Sequence, residues 1–292
     1  IMGPSVWHHV KYGNVSHRAG TVTPLEANVT PGAFCAVFCV PEWHKDPPRR
    51  RRVVNPRNVN GALGRSTLRP LHLPARAELR LAALRGDWVC CLDAASFFDQ
   101  FPVTPEVGRF FCFRSKRGAV LRLSAMAMGQ RQSTEVATAL MRLLCAFPHE
   151  GVGIDIVTDN LRFVGDRARV CRAVATFVGR CQAAGVILND LPRAPSSEAI
   201  DSAVTREADF LGEVIDYECK TVRIRPKIVA RAAELWRIRD RWTIRNATGF
   251  IAILLWCSAP LGVQISHHYA TMALLRAITT VGGYTLGSRV LG

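Results

Sequence analysis

Trp88-Val89-Cys90-Cys91-Leu92-Asp93-Ala94-Ala95-Ser96-Phe97-Phe98-Asp99-Gln100-Phe101-Pro102 is an apolar run that ends in one acidic residue, with aromatic residues in the turn that follows. From Trp88 to Leu92 the length and composition are those of a buried strand, which puts Asp93 at its carboxyl end. A carboxylate fixed at a strand end suits a hard metal ion, because the backbone beneath it cannot drift. Many strands end in Asp only to start a turn, so the stretch gains its weight from a second one. Ile154-Asp155-Ile156-Val157-Thr158-Asp159-Asn160-Leu161-Arg162-Phe163-Val164 has two apolar arms around Asp159-Asn160 and reads as a hairpin with a tight polar turn. One carboxylate at a strand end and another at a hairpin tip is how a two-metal phosphoryl-transfer site is assembled.

The totals bound what such a site could serve. The chain has 292 residues, 49% of them hydrophobic, which is enough for a large core and excludes disorder. Its net charge of +15 points to an anionic partner. Only five of the basic residues are lysines: Lys11, Lys45, Lys116, Lys220 and Lys227. Arginine forks onto phosphate and stacks on bases, so the bias suits nucleic acid better than a membrane surface; codon bias in a GC-rich genome would also favour it. Ten cysteines form no C-x-x-C pair, and Cys35-x3-Cys39 with His44 lacks a fourth ligand. Buried free thiols in a reducing compartment are therefore expected. Gly249, Ser258, Pro260, Gly262 and Gln264 interrupt the apolar stretch from Asn246 to Ser266, so it reads as a buried helix and not a membrane span. No signal peptide opens the chain, and a start at Ile1 suggests a piece of a longer polyprotein.

Along the chain, residues 1–30 read as an extended lead-in, and Phe34, Val37, Phe38 and Val40 as a strand or short helix. After Pro47-Pro48 come four arginines, Arg49 to Arg52, then a strand at Val53-Val54 and a polar loop. The arginine run is either a solvated or nuclear-targeting patch, or a set of guanidinium groups pinned by the strand to grip a triphosphate. Leu79 to Leu84 suggests a helix ended by Gly86, and a hairpin with a basic turn spans 109–123. The loop Met126-Ala127-Met128-Gly129-Gln130-Arg131-Gln132-Ser133 precedes a helix whose face is Val136, Leu140, Leu143, Leu144 and Phe147. A second helix, capped by Asp166 and ended by Gly185, presents Val170, Val174, Phe177, Val178 and Cys181. Val186-Ile187-Leu188 reads as a strand, 192–207 as a polar loop, and Asp209 to Ile215 as the partner of Thr221 to Ile224. The middle is thus strand, helix, hairpin, helix, strand, a split β-α-β arrangement. From Pro226 the chain turns helical, basic and amphipathic first, then apolar all round.

In this order the blocks resemble a reverse transcriptase of the retrotransposon type, from about Val40 to about Trp256. Arg51-Arg52-Val53-Val54-Asn55-Pro56-Arg57-Asn58-Val59-Asn60 is similar to the fingers motif of that family, with Asn55 in place of the usual Asp. Arg51 then falls at the arginine that contacts the incoming triphosphate, and Arg57 belongs with it in nucleotide binding. Asp93 to Pro102 resembles the first palm motif, which makes Asp93 a metal ligand, lets Ala94 offer its carbonyl, and sets Phe98 at the residue that blocks a ribose 2′-hydroxyl. Met128-Gly129-Gln130 resembles the loop that shapes the nucleotide pocket. Val157-Thr158-Asp159-Asn160 stands where the family has Tyr-x-Asp-Asp, so Asp159 is the second metal ligand and Asn160 joins the catalytic set. Phe210-Leu211-Gly212 matches the hairpin that holds the primer end.

The resemblance implies an α+β fold of right-hand polymerase architecture. An N-terminal lead-in and fingers would occupy 1–86, a fingers hairpin 108–125, a split β-α-β palm 87–107 and 126–217, and the start of a helical thumb or connection 218–292. It implies RNA-directed DNA synthesis with Mg²⁺, or Mn²⁺, as cofactor. The partners would be an RNA/DNA primer–template, deoxynucleoside triphosphates and a following ribonuclease H domain of the same polyprotein, with no membrane, in the cytoplasm or nucleus. The Asp159-Asn160 pair and the arginine-rich style further resemble tyrosine-recombinase retrotransposons of the DIRS-like or VIPER-like kind.

Three departures bear on activity. Asn160 keeps a carbonyl oxygen but loses a negative charge, Val157 and Ala127 replace the usual tyrosine and proline, and no lysine lies between Lys116 and Lys220. Arg193 is a poor substitute for a lysine acid, because its guanidinium holds its proton at neutral pH. The rival reading is a catalytically degenerate palm domain that binds structured nucleic acid; a basic ribosome-like protein would explain the charge but not the ordered blocks.

Overall fold

The structure is a computed structural model of the chain and describes residues 21–42, 49–62, 73–115, 117–258, 260–273 and 276. Among these the chain forms eleven strands in four small sheets, with helices between them. In chain order the strands are β1 (Val22–Pro24), β2 (Ala36–Glu42), β3 (Arg49–Asn55), β4 (Trp88–Asp93), β5 (Cys112–Arg114), β6 (Val120–Leu123), β7 (Val152–Val157), β8 (Asn160–Gly165), β9 (Glu207–Phe210), β10 (Glu213–Asp216) and β11 (Thr221–Ile224). The sheet orders are β1-β6-β5, β2-β3, β4-β8-β7 and β11-β10-β9.

The sheet β4-β8-β7 is built from the two stretches that open the sequence reading. β4 runs antiparallel to β8, from Trp88 opposite Gly165 to Asp93 opposite Asn160, and β7 returns onto β8 through the two-residue turn Thr158-Asp159. Alternation sorts the side chains of β8 between two faces. Leu161 and Phe163 join Cys90 and Leu92 in the largest core, beneath the helices Ser133–Leu144 and Arg167–Ala183. On the other face Val164 and Val89 meet Ala83 of the helix Arg76–Ala83, Ile215 of β10 and Tyr217 just after β10. The central sheet is thus covered on both sides, which is what holds its strand ends still.

The helix Arg167–Ala183 follows its sequence pattern: the Asp166 carboxylate accepts from the amides of Ala168 and Arg169, and Val170, Val174, Phe177, Val178 and Cys181 are buried. The helix Ser133–Leu144 follows its own only in part: of the expected face Phe147 is buried and Leu144 packs on the core, while Val136, Leu140 and Leu143 are exposed, Leu143 by 63%, and the buried face of the helix is Ser133, Ala137, Thr138 and Met141. Small side chains let that face lie close to the sheet, and close packing outweighs the stripe of larger residues. Buried Ser133 is compatible with this because its hydroxyl donates to the Ala127 carbonyl at 2.8 Å.

Four other expectations change. Part of the lead-in forms β1 and pairs with β6, and the polar loop after Val54 contains the helix Arg57–Ala62, anchored by buried Val59. Val186-Ile187-Leu188 is not a strand; only Leu188 forms a bridge, opposite Ala94. Within 192–207 lies the helix Ser197–Ala203, which Ser196 caps by accepting from the Ala199 amide and which buries Ile200. The three elements that formed unexpectedly are short, with too few apolar residues to show a period. Gly86 ends no more than a turn; what it permits is contact, since a Cβ there would lie 2.3 Å from the Gly165 Cα.

The helices Pro226–Arg237 and Ile244–Ser258 close on each other through Trp236, Trp242 and Phe250, with Trp236 stacked on Phe250 at 5.5 Å. Among the described residues no helix is long and apolar enough to cross a membrane.

Candidate active site

Asp93 sits at the last position of β4 and Asp159 in the turn between β7 and β8, so pairing of β4 with β8 brings the two together. A direct bond fixes the approach: the Ala94 amide donates to the Asp159 carbonyl at 3.1 Å. Thr158, beside Asp159, has φ of 59°, a left-handed conformation that a β-branched residue adopts only under constraint from its surroundings. Asn160 donates from Nδ2 to Asp159 Oδ1 at 3.0 Å, within the same tight turn.

Burial, and after it the charge of Asp93, push the Asp159 carboxyl above the ordinary carboxylate range. An acid whose pKa is raised by folding favours the fold below its unfolded pKa and loses that contribution as pH rises through the raised value. At neutral pH the ionised Asp159 carboxylate therefore opposes folding. Asp159→Asn, which keeps an oxygen for Asn160, is expected to raise Tm at pH 7 in chelator and to lose that advantage in acid, where both proteins carry a neutral side chain. Melts at the two pH values check this, and an unchanged or lower Tm at pH 7 would refute a destabilising buried charge at Asp159.

Two close carboxylates are hard oxygen donors, and the repulsion between them is what a divalent cation relieves, so the residues fit Mg²⁺ or Mn²⁺. Among the described residues no three His, Cys, Asp or Glu side chains are grouped to hold one ion. Further oxygens would come from backbone carbonyls, water or phosphate. Ala94, whose carbonyl belongs to the expected ligand set, is buried beside Asp93.

The other expected residues divide between this centre and two flanking elements. Phe98 lies in the short turn Phe97–Gln100 just beyond Asp93, half-buried, edge-on to buried Phe97 at 5.5 Å. Met128, Gly129 and Gln130 form a turn in which Met128 is exposed and Gly129 has φ of 87°. That turn is tied to the segment after β3 by Asn60, whose Nδ2 donates to the Gly129 carbonyl at 3.0 Å while its Oδ1 accepts from the Arg131 amide at 2.9 Å. Arg57 is exposed at the start of its helix, with its amide on Asn55 Oδ1 at 3.3 Å. Arg51 belongs to β3, opposite Val40, and its side chain lies outside the described residues.

Phe210, Leu211 and Gly212 form the β9–β10 turn, with φ of 52° at Leu211 and 87° at Gly212, as a two-residue hairpin of this hand requires. Gly212 also leaves room for Trp256, whose ring a Cβ would approach to 3.2 Å. Glu213 holds the turn to the Arg76–Ala83 helix through Arg80, at 2.6 and 3.0 Å. Phe210 is buried and lies under the Arg162 guanidinium at 4.8 Å, and Arg162 is two residues from Asn160. The turn and the carboxylate pair are therefore parts of one packed body.

Sequence reasoning missed Asn60, Gln100, Asn189 and Asp190. Gln100 holds Ile187 from both sides, donating from Nε2 to its carbonyl at 3.0 Å and accepting from its amide at 2.7 Å. The signal for Asn189-Asp190 was present: two polar residues after an apolar triplet, the pattern that singles out Asp93.

No protein-family model matches the sequence, and no curated protein does. Solved structures do resemble the fold. The foamy viral protease–reverse transcriptase dRH in complex with double-stranded DNA superposes with a TM-score of 0.62 at 16% identity, covering 87% of this chain and 40% of that one. The foamy viral protease–reverse transcriptase in complex with double-stranded DNA gives 0.63 at 14% identity, covering 87% and 48%. The native prototype foamy virus protease–reverse transcriptase gives 0.56 at 16%, covering 89% and 34%. The chain spans less than half the length of each, and its mixed helix-and-strand fold resembles the reverse transcriptase fold.

Proposed function

We propose that this chain is a reverse transcriptase domain of a retroelement, an RNA-directed DNA polymerase that adds deoxynucleotides to a primer 3′-hydroxyl at a two-metal site. The observation that carries the reading is the bond from the Ala94 amide to the Asp159 carbonyl, which joins two acidic positions at the end of a covered sheet. The resemblance to foamy viral reverse transcriptase structures and the net charge of +15 support it.

In the reaction the primer 3′-hydroxyl gives its proton to water, its oxygen bonds to the α-phosphorus of the nucleotide, the bond to the bridging oxygen breaks, and pyrophosphate leaves. Asp93 and Asp159, with the Ala94 carbonyl, would hold the divalent ions, and Asn160 would add its carboxamide oxygen. Bound Mg²⁺ or Mn²⁺ supplies Lewis-acid stabilisation of the phosphate charge that develops. Arg51 and Arg57 bring guanidinium charge to the triphosphate, the Met128-Gly129-Gln130 turn walls the nucleotide, and Phe210, Leu211 and Gly212 hold the primer end. In this reading 87–107 and 126–217 are the palm, 1–86 and 108–125 the fingers, and 218–292 the start of the thumb or connection. A ribonuclease H domain following in the same polyprotein, a cytoplasmic or nuclear place of work, and a DIRS-like or VIPER-like origin belong to the same proposal.

The test is extension of a DNA primer on an RNA template in Mg²⁺ and in Mn²⁺. No extension in either metal, with tight primer–template binding, would favour a domain that binds structured nucleic acid without polymerising. One observation speaks for that alternative: Asn160 Nδ2 occupies an oxygen of Asp159 at 3.0 Å.

Phe98 gives a separate test. If its ring lies under the sugar, Phe98→Ala is expected to reduce the preference for deoxy- over ribonucleotides by roughly ten- to a hundredfold, the scale on which a change of pocket shape discriminates. The readout is the ratio of kcat/KM for the two nucleotides, and an unchanged ratio removes Phe98 from sugar selection.

A further inference from the structure

Every polar group of Asp93's main chain, and one of its carboxylate oxygens, is engaged by two consecutive residues. Asn189 donates from Nδ2 to Asp93 Oδ2 at 2.5 Å, and its amide donates to the Asp93 carbonyl at 2.8 Å. The Asp93 amide in turn donates to Asp190 Oδ2 at 2.7 Å. The segment that carries them is held one step earlier as well, where the Ala95 amide donates to the Ile187 carbonyl at 2.9 Å and Gln100 grips Ile187. Segment 187–190 therefore lies beside residues 93–95, at the carboxyl end of β4, without being a strand, and its last two residues end on Asp93.

We propose that Asn189 and Asp190 are positioning residues for Asp93: Asn189 fixes the carboxylate rotamer by holding Oδ2, and Asp190 fixes the main chain beneath it. The proposal rests on the reading of Asp93 as a metal-holding carboxylate. A carboxylate at the end of a chain can rotate about χ2, and a donor on one oxygen leaves the other presented in one direction. The hydrogen-bond partners of metal-binding carboxylates characteristically do this, and their loss costs affinity for the ion more than it costs the fold. In this chain the device carries added weight, because Asn160 brings no charge to the pair and the rotamer of Asp93 is correspondingly less constrained by metal.

The experiment is a Mn²⁺ titration followed by EPR of the free ion, on the full chain with primer–template duplex and no nucleotide, beside melts in chelator. Asn189→Ala and Asp190→Ala are each expected to weaken Mn²⁺ binding about ten- to a hundredfold with little change in Tm. Asp190→Asn, which still accepts from the Asp93 amide, is expected to bind within a few-fold of the parent. In extension assays the two alanine variants should need more Mg²⁺ for half-maximal rate and recover kcat when it saturates. Parental Mn²⁺ affinity in both alanine variants, while Asp93→Asn binds none, overturns the positioning role alone. Asp190→Asn as weak as Asp190→Ala overturns the hydrogen-bond assignment. Parental affinity in Asp93→Asn itself overturns both this inference and the site reading it rests on.

Discussion

Asp93→Asn is expected to abolish primer extension while primer–template binding stays at its parental level. The substitution preserves volume, and the main-chain bonds of Asp93 to Asn189 and Asp190 do not involve the side chain that changes. The oxygen that Asn189 holds at 2.5 Å can remain an oxygen, so the local fold has no reason to shift. What is lost is one of the two carboxylates assigned to hold metal. Metal-assisted charge stabilisation is worth several kcal/mol in the transition state, and at about 1.4 kcal/mol per decade its loss lowers the rate roughly a thousandfold or more. Single-turnover extension measures the chemical step, and a binding isotherm at fixed salt measures the other half of the prediction. Normal extension by the variant would remove Asp93 from the chemistry and with it the polymerase reading. Loss of binding together with extension would show instead that the substitution damages the fold.

The paired carboxylates were legible in the sequence because both signals are local. A strand reads as an apolar run of fixed length and a hairpin as two such runs around a polar turn, and Asp93 and Asp159 sit where those patterns end. Contacts between elements left fainter marks. Asn60 reaches the Gly129 turn from 69 residues away, and Asn189 reaches Asp93 from 96. Neither distance has a sequence signature, since a single polar residue in a turn looks the same whether it meets water or a strand end. The helix Ser133–Leu144 was misread in part, for a different reason. Periodicity reports which side is more apolar, whereas the buried side is set by how closely the helix can approach, and Ala137 and Thr138 approach more closely than Leu140 and Leu143. The helix Arg167–Ala183 was read correctly because its apolar side is also the side that fits.

Arg162 was the least legible residue of all, and replacing it by Ala is expected to have the largest effect on stability. In an alternating strand an arginine between Leu161 and Phe163 reads as the solvent side, yet Arg162 is 0% exposed. Its guanidinium donates to Asp155 Oδ2 from Nε at 3.0 Å and from Nη2 at 2.7 Å, directly across the β7–β8 pair. It also donates to the Leu79 carbonyl and to the Tyr217 hydroxyl, the latter at 3.3 Å, and covers the ring of Phe210. One side chain thus connects the strand that follows Asp159 to the Arg76–Ala83 helix and to the turn that holds Gly212. Arg162→Ala leaves Asp155, only 12% exposed, without its counter-charge and opens a cavity beside Tyr217. Removing one partner of a buried ion pair costs about 3–5 kcal/mol, a large part of a typical total of roughly 5–15 kcal/mol. For a chain of this size that corresponds to a fall in Tm of roughly 5–8 °C. Because the charge left behind accounts for much of this cost, Arg162→Met combined with Asp155→Leu should recover part of the loss, as replacing both ions by apolar groups does elsewhere. Thermal melts of the two proteins give the comparison. A single-variant Tm within a degree of the parent would mean that water reaches the pair, and the connection from the carboxylate hairpin to the Phe210 turn would then have to run through packing alone.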